Sequence, residues 1–93
     1  MERRREGAAG AIAWTALEQG TPIVTADGEE IGRVSTVVAD EQKDIFYGVT
    51  FRPGALEGER FIPAALVDRL TTDRVLLTVD GRRAEAEAEP YEA

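Results

Sequence analysis

The sequence predicts an all-β fold, a small and strongly bent β-barrel of about five to six strands. Three observations carry that expectation. Between Gly20 and Asp80 short apolar segments alternate with turn signals at close spacing; no helix-period stretch there exceeds two turns; and glycines fall inside the segments, where a barrel must bend. The chain has 93 residues, so one domain is the expectation. Its 26 large apolar side chains suffice for one modest core. The boundaries read as a basic tip and short helical or turn lead-in over 1–19, the β domain over 20–80, and an acidic tail over 81–93.

The first segment, Thr21 to Ala26, carries Ile23 and Val24. It runs into Asp27-Gly28, a strong hairpin signal because both residue types tolerate positive φ. The second, Glu30 to Ala39, places Ile31, Val34 and Val37 off a strict period of two, so Gly32 is expected to mark a bulge or bend. A polar loop, Asp40 to Asp44, leads into Ile45 to Phe51, the most strand-like stretch of the sequence. There Ile45, Tyr47, Val49 and Phe51 share one face, expected to point inward, and Gly48 between aromatics points to a close backbone crossing. Pro53 to Gly58 is a loop and Arg60 to Ile62 a short strand. Pro63 cannot continue a central strand but suits a first helical position, so one helical turn is expected near 63–68. Thr71 to Asp73 turns the chain into a last strand in which Val75, Leu77 and Val79 alternate with Leu76 and Thr78. From Gly81 the composition shifts to two arginines and alternating alanine and glutamate, with no apolar stripe, which predicts a solvated helix or disorder.

Composition excludes much chemistry. With no cysteine and no histidine, the chain lacks a disulfide framework, a Cys/His zinc site, a thiol nucleophile and a Ser/His pair. The net charge is −7, and beyond Arg3, Arg4 and Arg5 no segment is basic. Nucleic-acid binding is therefore not expected, because its affinity comes from neutralising phosphates. The stretch Gly7 to Leu17 imitates a signal peptide poorly: its only large apolar residues are Ile12, Trp14 and Leu17, and it is too short to span a bilayer. A cytoplasmic protein without membrane association is the expectation.

The carboxylates Asp27, Glu29, Glu30, Asp40, Glu41 and Asp44 are the one polar cluster that could hold a hard cation. Their spacing does not match an EF-hand loop, and the Asp27 turn and Asp40 loop fall at opposite ends of one strand, about 30 Å apart at ~3.3 Å per residue. They read as turn carboxylates. A catalytic carboxylate pair would need a concave pocket, which so small a barrel fills with side chains. No catalytic residue, metal or cofactor is expected. The aromatics Trp14, Phe46 and Phe61 are the candidate interface, since both faces of the third and last strands carry large apolar groups and the interior is small. Asp27, Gly28, Gly32, Gly48 and Pro63 are the candidate turn and bend residues.

The order of residues resembles the PRC-barrel domain family, in particular its short stand-alone bacterial members. The carriers are Gly20-Thr-Pro-Ile-Val-Thr, the run from Ala26 to Val34, the stretch Asp40 to Tyr47 with Gly48, Phe61 to Asp68, and Arg74-Val-Leu-Leu-Thr, together spanning roughly 14–80. The family also includes the C-terminal part of the photosynthetic reaction centre H subunit and a ribosome maturation factor. The resemblance implies a small bent β-barrel without shared catalytic residues, whose better-understood members serve as docking or assembly surfaces. The expected function is a non-catalytic protein-interaction module, self-associating as a homodimer with a further protein partner unidentified. The alternatives are a small-ligand or ion-sensing module using the Asp27 or Asp40 loops and, third, a ribosome- or RNA-associated factor.

Overall fold

The computed structural model describes residues 12–54 and 57–91. The basic tip Arg3 to Arg5 lies outside them. Seven strands form one sheet: β1 (Pro22–Val24), β2 (Glu30–Asp40), β3 (Ile45–Phe51), β4 (Arg60–Pro63), β5 (Val67–Leu70), β6 (Val75–Leu77) and β7 (Glu89–Pro90). Their order is β5-β6-β1-β2-β3-β4-β7. All pairings are antiparallel except β1 with β6. A seven-residue helix, α1 (Gly81–Glu87), separates β6 from β7. The sheet is bent but not closed, since no ladder joins β5 to β7.

The bends sit where the ladders slip. Opposite β1 the register jumps from Gly32 to Glu30, leaving Ile31 as the extra residue; two more shifts, between Val34 and Thr36 and between Val38 and Ala39, break the β2–β3 ladder. Each added residue increases local twist. Gly32 also admits the Phe51 ring, whose Cδ2 would stand 2.6 Å from a Cβ placed there. The curl gathers Ile23, Val34, Val49, Phe51, Ile62, Val75 and Leu77 into one buried cluster, joined by Leu17 before β1 and by Ala84 and Ala88 from the C-terminal segment.

The first turn is a three-residue loop, Ala26 to Gly28. The Thr25 carbonyl accepts from the Gly28 N–H, and the Thr25 N–H donates to the Glu29 carbonyl at 2.8 Å. Only Gly28 takes positive φ, at 91°. Asp27 instead accepts a hydrogen bond from the Thr25 hydroxyl, which in turn accepts from the Glu29 N–H.

Several expectations are corrected. Pro63 closes β4, paired with Gly48, and stands just before the 3-10 turn Ala64–Leu66 instead of opening it. That turn ends at Leu66, and Val67 to Leu70, partly assigned to the helical turn, forms a strand on β6. In the tail, α1 is not a solvated helix: Ala84 is 0% and Ala88 5% exposed. Alanines one turn apart make a narrow apolar stripe that lets the helix approach the sheet closely. Asp80 caps it by accepting from the Arg83 N–H at 2.8 Å. The Arg60 guanidinium donates to the Glu85 and Ala88 carbonyls at its C-terminal end.

The inward face expected for β3 is half right. Val49 and Phe51 are buried, whereas Ile45 is 40% and Tyr47 47% exposed. Two features divide the strand. Tyr47 is the unpaired extra residue of the shift opposite Val38 and Ala39, and β4 stops accompanying β3 at Gly48. Below Gly48 the β2–β3 hairpin therefore extends beyond the part of the sheet that β4 accompanies.

Thr50, beside this division, is fully buried and its hydroxyl has no partner among the described residues. An unsatisfied buried polar group costs about 1–3 kcal/mol, and valine has the same shape without that group. Thr50→Val is expected to stabilise the fold by about 1 kcal/mol, raising the melting midpoint by roughly 4–8 °C. A midpoint that falls would mean that the hydroxyl is satisfied in solution.

Candidate functional site

The candidate site is the outer end of the β2–β3 hairpin together with the 3-10 turn Trp14–Ala16. The lead-in is held beside the sheet because the Ile12 N–H donates to the Leu70 carbonyl of β5 at 2.9 Å. Trp14 then stacks on Phe46, with centroids 6.4 Å apart and planes 12° from parallel. Two of the three aromatics nominated from the sequence thus meet. The third does not join them: Phe61 stacks on Tyr91 at 5.8 Å, where the segment after α1 covers β4. All three nominated aromatics are half-buried.

The residues missed by sequence reasoning are Ile45 and Tyr47. Period-two alternation assigned both to the core along with Val49 and Phe51. The available signal was Pro63, which ends β4 opposite Gly48 and leaves the start of β3 without a partner on that side. An open groove runs beside Tyr47, lined by Trp14, Val37, Ala39, Asp40, Glu41 and their neighbours. Its lining combines aromatic, aliphatic and acidic side chains with the polar Thr15 and Gln42. The turn itself holds Asp40 in place, since Oδ1 accepts from the Lys43 N–H at 3.2 Å, and Asp44 takes the left-handed conformation with φ 56°.

Among the described residues no three Asp or Glu side chains converge in a way that could hold a metal ion. The Asp27 and Asp40 carboxylates each serve a turn hydrogen bond, at the two ends of β2. The described ion pairs, Arg33–Glu30, Arg52–Glu59 and Arg83–Glu87, are surface pairs of little energetic weight. No helix among the described residues is long and apolar enough to cross a membrane.

A bent sheet wrapped around one core, with an aromatic groove at its outer end, defines a small β-barrel module. The chain belongs to the PRC-barrel domain family, whose model matches residues 19–83. Members of that family are generally non-catalytic modules. The match ends inside α1, so the end of that helix and β7 lie beyond it. No curated protein matches the chain.

Proposed function

We propose that this chain is a non-catalytic protein-docking module of the cytoplasm that self-associates through the outer half of its β2–β3 hairpin. The observation that carries the reading is the exposure of Ile45 and Tyr47, 40% and 47%, immediately beside the Trp14–Phe46 stack. Isolated exposed apolar residues are ordinary, but two exposed ones next to a half-buried aromatic stack supply apolar surface of the kind that marks interaction sites when contiguous. Aromatic residues are also the commonest anchors of binding energy. A domain of this size buries a modest fraction of its surface, so covering the patch with a second copy adds stability through association.

The test is the mass in solution. At roughly 50 μM the native chain should scatter as a dimer with a concentration-dependent melting midpoint. The double variant Ile45→Thr, Tyr47→Ser should scatter as a folded monomer. A native chain that is monomeric, with a midpoint independent of concentration, overturns self-association.

A further inference from the structure

We propose that the groove beside Tyr47 receives an arginine side chain from an apolar segment of a partner protein. The inference rests on the docking reading of this face and gives the partner its chemistry. Two aromatic residues, Trp14 and Tyr47, and two carboxylates, Asp40 and Glu41, line the same groove, together with Val37 and Ala39. That combination is selective. A planar guanidinium stacks on aromatic faces while its fork of N–H donors meets carboxylates in pairs; a lysine ammonium does neither as well. A glutamate or aspartate would be repelled. Val37 and Ala39 offer apolar contact to aliphatic residues flanking the arginine.

The acidic end of the groove carries charge of the sign that such a partner needs. The loop from Asp40 to Asp44 carries three acids against one lysine, and none of the described ion pairs uses them. Most of the remaining chain is acidic as well, which steers a basic segment inward but does not select the groove. Selection comes from the two aromatic side chains in its lining. Trp14 is the only tryptophan in the chain, so its emission reports on the surroundings of this groove.

The experiment titrates the full chain with a capped pentapeptide of alternating leucine and arginine, and with its lysine and glutamate counterparts. Trp14 emission is the first readout, and anisotropy of the labelled peptide gives affinity. The arginine peptide should produce a saturable change, the lysine peptide should bind several-fold more weakly, and the glutamate peptide should not bind. In the double variant Asp40→Asn, Glu41→Gln affinity should fall about tenfold, the loss expected from charge-assisted contacts. Asparagine keeps the acceptor that Lys43 uses, so the turn survives. The control Glu57→Gln, Glu85→Gln removes the same charge from residues lining a different cavity and should bind as the native chain does. Equal loss in both variants, equal binding of lysine and arginine peptides, or no saturable change overturns the proposal. Light scattering on the same samples separates the two readings. Because a dimer through this face would cover the groove, the titration is run at the dilution where scattering gives a monomer. A chain that is a dimer when concentrated but ignores the arginine peptide as a diluted monomer refutes the arginine site alone. A chain monomeric throughout that binds the peptide refutes self-association alone.

Discussion

Gly48→Val is expected to abolish the folded state. Gly48 has φ 149°, a conformation that L side chains rarely adopt, and a Cβ there would run into the Ile62 carbonyl oxygen and come within 2.9 Å of the Phe61 ring. The two penalties are independent. Backbone strain alone costs about 1–3 kcal/mol. The carbonyl cannot move aside without breaking the β3–β4 ladder, in which Val49 pairs with Ile62 and Gly48 with Pro63. Ile62 is fully buried, so a displaced β4 also opens the core. Small domains hold roughly 5 kcal/mol or slightly more in total, which the combined loss consumes. Circular dichroism and urea melting check this: the variant should lack a cooperative transition at 25 °C. A transition with the native midpoint would mean that β3 and β4 do not cross closely at this position.

Other glycines are less demanding, which makes the effect specific. Gly20 and Gly28 also have positive φ, near 90°, but a Cβ at either meets nothing within 4 Å. Gly32 has the opposite character, with ordinary φ and an aromatic ring in the way. The Phe51 ring can tilt where the Ile62 carbonyl cannot, so Gly32→Val should cost less than Gly48→Val.

The close crossing at Gly48 was legible in the sequence because a glycine set among aromatics in a strand marks a place where a neighbouring chain or ring passes over the backbone. The Asp27-Gly28 turn signal and the limits of β3 were legible for similar local reasons, turn chemistry and alternation acting over a few residues, although the loop also takes in Ala26, the last residue of the expected first segment. What escaped depends on partners distant in sequence. Whether Ile45 and Tyr47 face the core is decided by where β4 ends, and β4 ends at Pro63, sixteen residues beyond Tyr47. The strand Val67 to Leu70 escaped because its identity comes from β6, against which it pairs, and not from its own composition. The groove was invisible for the same reason, since Trp14 and Tyr47 are brought together only by the lead-in crossing to β5. The acids at the hairpin end read as turn residues, which the Asp40 bond to the Lys43 N–H agrees with, whereas their sharing a groove with Trp14 and Tyr47 depends on that same long-range contact.

The C-terminal segment is where composition misled most, and Ala84→Asp tests the correction. A repeat of alanine and glutamate has no large apolar residue, so its burial potential is low on any hydropathy scale. Yet Gly81 and Ala84 are the buried residues of α1, and Ala88 follows one turn later. Small side chains let the helix backbone lie against the cluster that contains Phe51 and Ile62, and the Arg60 guanidinium, Asp80 cap and Phe61–Tyr91 stack hold it there. Ala84→Asp places a carboxylate without a partner in that cluster and is expected to cost about 3 kcal/mol or more. Ala86→Asp, on the exposed side of the same helix, changes propensity alone and should cost about 0.7 kcal/mol or less. Urea melting of the two variants reads the difference directly. Equal, small effects would mean that the helix is a solvated appendage to a barrel complete at residue 83. A large effect at Ala84 alone would make α1, which runs on past the end of the family match, a structural part of the core.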